Sequence, residues 1–584
     1  MTPPPSPSRL AALAARIRTS LASPRILVLL PLLALVLGSP SLPGGLALDD
    51  LLLTEHLAAG RDLTALYDFG GSAEVAVQRA SGAFPWWTAD DLHVRFLRPL
   101  AAATLALDAR LGGAAWWMHL QSVLWYVLLV ALVGRAYRAF AAERGEPLWV
   151  AGLALLLYAV DDAHAASVGW IAARHAEVGA VFGVLALLAH HRWRARGWAA
   201  GAIAGPAALA VGLLASESTL ACLGYLAAFA LVLEPAAGWR ARARTLLPYA
   251  LVVVAWYAAY RALGHGAVGT GMYVDPAADP LAFITADLLH APLLLMAQLG
   301  IPALVELLVF VPGALLPAAI LAWLGSIACA ALVRPILKDS ALTRFWALGM
   351  LLAALPVAGA LPADRHLLLV GVGACGLVAA TLATLAGATR PPVATRILAW
   401  IWVALHLVLA PLLIGPRMVG SSTMQRTIAE AVAALPDPSD PRPVVLLQAP
   451  GDVFTLYTPA IRGASAGPTH VLYVGAGAVE LERRDPSTLD VRPSGGWLAA
   501  PGDRIFRAGR PMHAGQAVAL PGIDVTILEV TPDGRPATIR AHSDAPLDMG
   551  GLRWMAWVDG APTPIDLPAV GASRTLAPAA WRFE

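Results

Sequence analysis

Apolar residues run in long blocks along this chain, far longer than a buried strand needs. A helix crossing the hydrocarbon core takes roughly 20 mostly apolar residues. The pattern predicts about 11 such helices, near 25–42, 114–134, 147–161, 176–191, 198–215, 217–234, 246–263, 312–333, 345–361, 366–388 and 397–415. The stretch 281–300 is also apolar but holds Asp287 and His290, and is expected to be interfacial or re-entrant. After Arg417 the pattern changes. Residues 421–435 predict a short amphipathic helix, and β-type runs follow at 444–448, 471–474, 478–483, 517–520, 524–530 and 537–542. Turn signals such as Pro532-Asp533-Gly534 and Asp559-Gly560 separate them. The expected fold is a polytopic α-helical membrane protein with a C-terminal β-rich (α+β) domain, opening with one β-α-β unit. Its expected division is a basic N-terminus at 1–24, a transmembrane domain at 25–416 with a large loop at 43–113, and a soluble domain at 417–584.

Composition agrees. Of 584 residues, 58% are hydrophobic and 14% charged, whereas a soluble domain is about a quarter charged. So little charge cannot cover a water-soluble body of this size, and lipid solvates much of the surface. The net charge of +2, without runs of Lys/Arg interleaved with aromatics, gives no case for nucleic acid. Cys222, Cys329 and Cys375 lie inside apolar runs and read as small core residues, with neither metal nor disulfide spacing. Arg far outnumbers Lys, and Ala, Gly and Pro are abundant, the bias of a high-GC bacterial genome.

Basic residues set the expected orientation. Arg9, Arg16, Arg18 and Arg25 precede the first span, which the later spans make a retained helix rather than a signal peptide. Arg135, Arg138 and Arg144 follow the second span, and Arg192, Arg194 and Arg196 the fourth. Arg240, Arg242 and Arg244 follow the sixth, Arg334, Lys338 and Arg344 the eighth, and Arg390 and Arg396 the tenth. Every second connection is basic, so these face the cytoplasm. A multi-pass protein of the cytoplasmic (inner) membrane is expected, with its N-terminus inside and its C-terminal domain outside.

The remaining polar residues gather on the outer connections. Asp49-Asp50 follows the first span, where a carboxylate near lipid and beside a like charge becomes a better base; the plainer reading is a solvated helix end. Arg98, in Phe96-Leu97-Arg98-Pro99-Leu100, either forks onto a phosphate or snorkels as an anchor. Trp86, Trp87, Trp116 and Trp117 read as interface-belt residues. Between the third and fourth spans, His164 and Arg174 can stabilise charge on a leaving phosphate or serve the loop itself. Glu217 interrupts an apolar stretch, where an acid pairs or functions. Asp364-Arg365-His366 at the tenth span either holds a phosphate or forms an interfacial ion pair.

Together these segments, over roughly 20–390, resemble the GT-C class of membrane glycosyltransferases, most nearly the protein O-mannosyltransferase relatives that carry tetratricopeptide repeats. That branch has an acidic pair after the first span, here Asp49-Asp50, and an Arg-Pro-Leu later in the loop, here Arg98-Pro99-Leu100. A His in an aromatic run opens its second span, here His119 in Trp117-Met118-His119-Leu120. Its segment His-Pro-x-His-x-Glu-x-Val-x-Trp-Ile-x-x-Arg is matched by His164, Val168, Trp170, Ile171 and Arg174. Its Lys-Glu pair is matched only by Glu217, and its acidic-Arg-aromatic element by Asp364-Arg365-His366. Asp161-Asp162 replaces the first His-Pro, Ala166 the Glu, and Ser216 the Lys; no tetratricopeptide repeat follows.

The resemblance implies an inverting glycosyltransferase with a polyprenyl-phosphate-linked sugar as donor and no cofactor or metal. Asp49 and Asp50 are the implied catalytic residues. Arg98, His164, Arg174, Arg365 and His366 are the implied phosphate binders, and His119, Trp170, Glu217 and Asp364 the supporting ones. The implied partners are membrane lipid, the lipid-linked sugar and a protein or glycan acceptor. Two other readings stand beside it: a transporter or flippase of lipid-linked sugars, and a non-catalytic envelope-assembly protein. Two symmetric halves with broken helices would mark the transporter, and the sequence shows no such symmetry.

Overall fold

The computed structural model describes residues 9–234, 238–300, 305–463 and 465–582. The first eight residues of the expected basic N-terminus and the last two of the expected C-terminal domain lie outside them. Among the described residues, seven helices are long and apolar enough to cross a membrane, or up to nine if each bent pair is one span. Shorter apolar helices at Gly201–Leu213 and Glu217–Leu233, and the 24-residue helix Trp239–Ala262, occupy the other expected spans. The chain is a polytopic helical membrane protein. Leu281, Val254, Leu321 and Leu412 stand out from its flanks, each more than half exposed, as lipid-facing residues do.

The basic connections meet at one end of the bundle. There Arg138 donates to Ala22 O and Arg144 to Leu233 O, Arg194 pairs with Glu234, and Ser340 Oγ donates to Glu146. The N-terminal helix turns 90° from the first span at this end. The opposite end is capped by the 43–113 loop and the C-terminal domain.

Pro280–Leu299 is long and apolar enough to cross, yet the chain begins and returns at the capped end. Phe283 packs on Gly359, Glu306 accepts from the Asp364 amide, and Val309 O accepts from the Gly502 amide. Both flanks of this segment therefore meet the capped end. Trp323 donates to Leu288 O and Gln298 to Asp161, tying the helix into the bundle.

The last expected span differs from the sequence reading. A span ending near 415 and a separate helix at 421–435 are instead one 41-residue helix, Val393–Ala433. Its lower part buries Trp402 and Ile414 in the bundle, and its upper part buries Ile428 and Val432 in the domain core. Packing along both stretches carries the helix through Gly415, Pro416 and Gly420. It passes so close to the Ala165–Gly169 helix that a methyl group at Gly169 would overlap the Met418 carbonyl.

The C-terminal domain holds two sheets. One is four-stranded: Val444–Leu446 pairs in parallel with Thr469–Val471 and with Arg553–Val558, and Ala561–Pro564 is the far edge. The helix Asp452–Arg462 connects the first two strands, so the expected β-α-β unit is present. The other sheet has six antiparallel strands, ordered Ser573–Leu576, Val479–Asp485, Thr488–Pro493, Pro536–His542, Ile523–Val530 and Ala517–Leu520. Alternating burial along Val479–Asp485 and Ile523–Val530 places one face of that sheet in the core.

The 43–113 loop is folded, not merely polar. Its strands Asp68–Gly70 and His93–Arg95 join Gly266–Val268 in a three-stranded antiparallel sheet. Trp86 and Trp87 are 2% and 1% exposed in the core of the C-terminal domain, which corrects their reading as interface-belt residues. The Trp86 and Trp497 indoles both donate to Leu472 O, and Arg507 donates to Trp87 O. An indole with a carbonyl partner is better satisfied in a protein core than at a lipid interface.

Candidate functional site

The acidic pair opens the helix Asp49–Ala58, where carboxylates oppose the positive helix end. Leu48 precedes it at φ 55°, a conformation costing a non-glycine residue about 1–3 kcal/mol. Its amide donates to Gln425 on the long Val393–Ala433 helix, which helps hold the turn.

The two acids have different environments. Asp50 is 1% exposed and both its oxygens are taken, Oδ1 by the Ala172 amide at 2.7 Å and Oδ2 by the Ala47 amide at 2.9 Å. Burial pushes its carboxyl up to about 7, against the pull of those two amides. Asp49 is half-buried, and its Oδ1 accepts from the Tyr457 hydroxyl at 2.5 Å. Burial raises its carboxyl too, opposed first by Tyr457 and then by the positive charges of Arg365 and Arg98.

Asp49 lines a cavity of ≈ 360 Å³ together with Arg98, Trp170, His175, Arg365 and Tyr457. A second cavity, ≈ 260 Å³, shares Phe96, Arg98, His175, Tyr273 and Arg365 with the first and adds Glu217 and His366. Its other walls come from the helices Trp239–Ala262, Pro280–Leu299 and Ala341–Ala358. Exposed apolar residues on those helices, Val254, Ile284 and Leu355, place this cavity beside lipid-facing surface.

The two arginines on the shared wall differ. Arg98 stacks over the Phe96 ring at 4.0 Å and pairs with Glu217 at 2.8 Å. Glu217 therefore has the arginine partner that its position suggested, and its Oε1 has no hydrogen-bond partner among the described residues. Arg365 lies 6.0 Å over the Trp170 ring and, among the described residues, makes no ion pair. It is the cation at this wall left available to an anion.

Two of the expected phosphate binders, Arg174 and His164, lie elsewhere. Arg174 is 1% exposed, lines neither cavity, and donates to Asp108 at 2.5 Å, Ser122 at 3.0 Å and Met118 O at 2.5 Å. His164 is fully buried off both cavities, with Nδ1 3.1 Å from the Tyr126 hydroxyl and its ring 4.4 Å from Tyr158. Both are consumed in packing the bundle. His119 Nε2 bonds Gly45 O at 2.8 Å and holds the loop before the acidic pair. The Trp170 indole donates to Ala47 O. Asp364 pairs with Arg417, which also reaches Asp162 at 2.6 Å, so one guanidinium bridges two carboxylates.

Several residues at the site were invisible to sequence reasoning. Asp452 and Tyr457 come from the C-terminal domain, and Tyr67 and Tyr273 from separate loops. The only sequence signal for the first two is the amphipathic pattern of 452–462, which says that one face is buried and not against what. Among the described residues, no group of three or more His, Cys, Asp or Glu side chains is arranged to hold a metal ion.

No protein-family profile and no curated protein sequence matches the chain. Among solved structures, it is similar to ArnT from Cupriavidus metallidurans bound to undecaprenyl phosphate, at 14% sequence identity and a TM-score of 0.36, over 76% of this chain and 85% of that one.

Proposed function

We propose that this chain is a membrane glycosyltransferase of the GT-C kind, moving a sugar from a polyprenyl-phosphate donor to an acceptor hydroxyl at the outer face of the cytoplasmic membrane. The observation that carries this is the shared wall: a carboxylate, Asp49, and an unpaired guanidinium, Arg365, line one cavity, while Arg365 and Arg98 also line a second one beside lipid-facing helices. The basic connections gather at the far end of the bundle. By the positive-inside rule this supports reading the cavities as outer-side.

The donor's phosphate sits in the second cavity, with its lipid tail between the flanking helices. Asp49 takes the proton from the acceptor hydroxyl, using the oxygen that Tyr457 does not occupy. The hydroxyl oxygen bonds to the anomeric carbon as the bond from that carbon to the phosphate oxygen breaks, with inversion. The electron pair leaves on the phosphate, where Arg365 and Arg98 neutralise it, a kind of stabilisation that is often the largest catalytic contribution. Asp50 anchors the Asp49 turn, and Arg174 and His164 brace the helices behind it.

The test is turnover by the purified full chain in liposomes, supplied with a panel of undecaprenyl-phosphate sugars and reading release of undecaprenyl phosphate. One donor is expected to turn over, with Asp49→Asn and Arg365→Ala each lowering the rate at least hundredfold. Absence of turnover with every donor, with undecaprenyl phosphate binding equally to wild type and Arg365→Ala, overturns the proposal and leaves the non-catalytic reading.

A further inference from the structure

The N-terminal helix Arg9–Ala22 has 14 residues and stands at 90° to the first span. At 1.5 Å per residue it is about 21 Å long, short of the roughly 30 Å of hydrocarbon that a span must cross. Leu13, Ile17 and Leu21 recur at steps of four and form one apolar stripe along it. The stripe begins on the bundle, where Leu21 packs against the core and its carbonyl lies against Gly152. Arg138 fixes the bend by donating to the carbonyls of Ala22 and Ser23. Beyond that point the stripe leaves the protein. Ile17 is 50% exposed and Leu13 is 54% exposed.

Arginines flank this stripe. Successive helical residues turn by about 100°, which places Arg9 and Arg16 along one side of the stripe and Arg18 along the other. Ala15 and Thr19 fall on the opposite face. Arg18 stacks over the Trp149 ring at 5.0 Å. Arg9, Arg16 and, at the bend, Arg25 are exposed, and among the described residues their side chains make no ion pair. The helix itself carries no acid. Exposed arginines at the other end of the bundle do have acids, as Arg261 has Asp275. An apolar edge between two rows of cations suits the boundary of a bilayer, with the edge among acyl chains and the cations level with the phosphates. Any phospholipid would cover the apolar edge. Four arginines without a carboxylate favour a headgroup of net negative charge.

We propose that Arg9–Ala22 lies in the membrane plane as an interfacial helix that gathers anionic phospholipid. Leu13 and Ile17 enter the acyl region, and Arg9, Arg16, Arg18 and Arg25 hold the headgroup phosphates. The surface is separate from the two cavities and does not depend on the glycosyl-transfer reading.

The experiment uses the full chain in nanodiscs of phosphatidylcholine and phosphatidylglycerol in equal amounts. Cys222, Cys329 and Cys375 are buried, so a cysteine added on this helix takes the label. Spin labels at Leu13→Cys and Ile17→Cys are expected to collide with oxygen over a water-soluble nickel chelate about threefold more than labels at Ala15→Cys and Thr19→Cys. In discs of phosphatidylcholine, a fluorophore at Ile17→Cys is expected to be quenched about twofold more by trace acyl-spin-labelled phosphatidylglycerol than by the matching phosphatidylcholine. That preference is expected to vanish when Arg9, Arg16 and Arg25 are all changed to Gln. Equal collision ratios at the four positions overturn the inference, as does equal quenching by the two lipids in the chain with its arginines intact. Dipolar broadening between Leu13→Cys labels on two chains also overturns it, since a second copy then covers the stripe. These readouts do not involve sugar transfer, so this surface and the proposed reaction can fail separately.

Discussion

The Tyr457 hydroxyl donates to Asp49 Oδ1 at 2.5 Å, joining residues 408 positions apart. A side chain of the C-terminal domain thus reaches the acid that opens the Asp49–Ala58 helix. A hydrogen bond given to a carboxylate favours its ionised form, so Tyr457 lowers a carboxyl that burial raises.

Replacing Tyr457 by Phe removes that donor without changing the ring. The Asp49 carboxyl then rises further, and less of it is ionised at neutral pH. The rising limb of the pH–rate profile is expected to move upward by about one to two pH units, the equivalent of a hydrogen bond to a charged group worth ~1.5–3 kcal/mol. The rate at high pH should recover. A profile unchanged in position, with only its height reduced, would assign Tyr457 to packing alone.

Asp50 makes stability depend on pH in a definite direction. Its folded-state carboxyl is at about 7 against 3.8 for the free group. Between those values the folded chain holds a proton that the unfolded chain has released. Stability therefore falls as pH rises from about 4 to 7, by on the order of 4 kcal/mol when ionisation is complete. Thermal unfolding in detergent across that range should show the decline in wild type. In Asp50→Asn, which cannot ionise, the decline from this group should be absent, on a lower baseline because one amide loses its acceptor.

Arg417 bridges Asp162 and Asp364 from the long helix that leads to the C-terminal domain. Arg417→Ala leaves two buried acids without a cation, and breaking such a pair costs about 3–5 kcal/mol. The unfolding temperature should fall accordingly. The double change of Asp162 and Asp364 to Asn in the Arg417→Ala background should regain a large share of the loss. Failure to regain any would show that the arginine stem, not its charge, holds the helix.

Trp86 ties the 43–113 loop into the domain core. Trp86→Ala is expected to cost about 3–5 kcal/mol, borne by the join between loop and domain rather than by the bundle. Limited proteolysis should then cut within the loop before the helices loosen. Uniform destabilisation of bundle and domain would contradict this.

Part of the site was legible before any contact was known. Asp49, Arg98 and Arg365 stand out by polar character at the edges of apolar blocks and Trp170 by the family resemblance, and the four line one cavity. Arg174 and His164 carried the same signal and are spent on Asp108, Ser122 and Tyr126 instead. An arginine buried to pair with an acid and one held ready for a phosphate look alike in one dimension, because the partner is absent from the local sequence. Asp108 sits 66 positions from Arg174.

By itself, the sequence determined the solvent of each segment. Twenty apolar residues in a row have a single stable surrounding, and an arginine-rich connection resists crossing the bilayer, so blocks, alternation and the change of pattern after 417 specify a membrane bundle with a β-rich domain. Only the tertiary structure decided which polar groups face the cavity. Adjacent residues on a helix point about 100° apart, so packing alone directs Asp49 to the cavity and Asp50 to the backbone amides of Ala47 and Ala172. Packing likewise brings Tyr457 and Asp452 to the same wall from the far end of the chain. Hydrophobicity is a property of each stretch alone, whereas a hydrogen bond belongs to two groups, and no local pattern records the second.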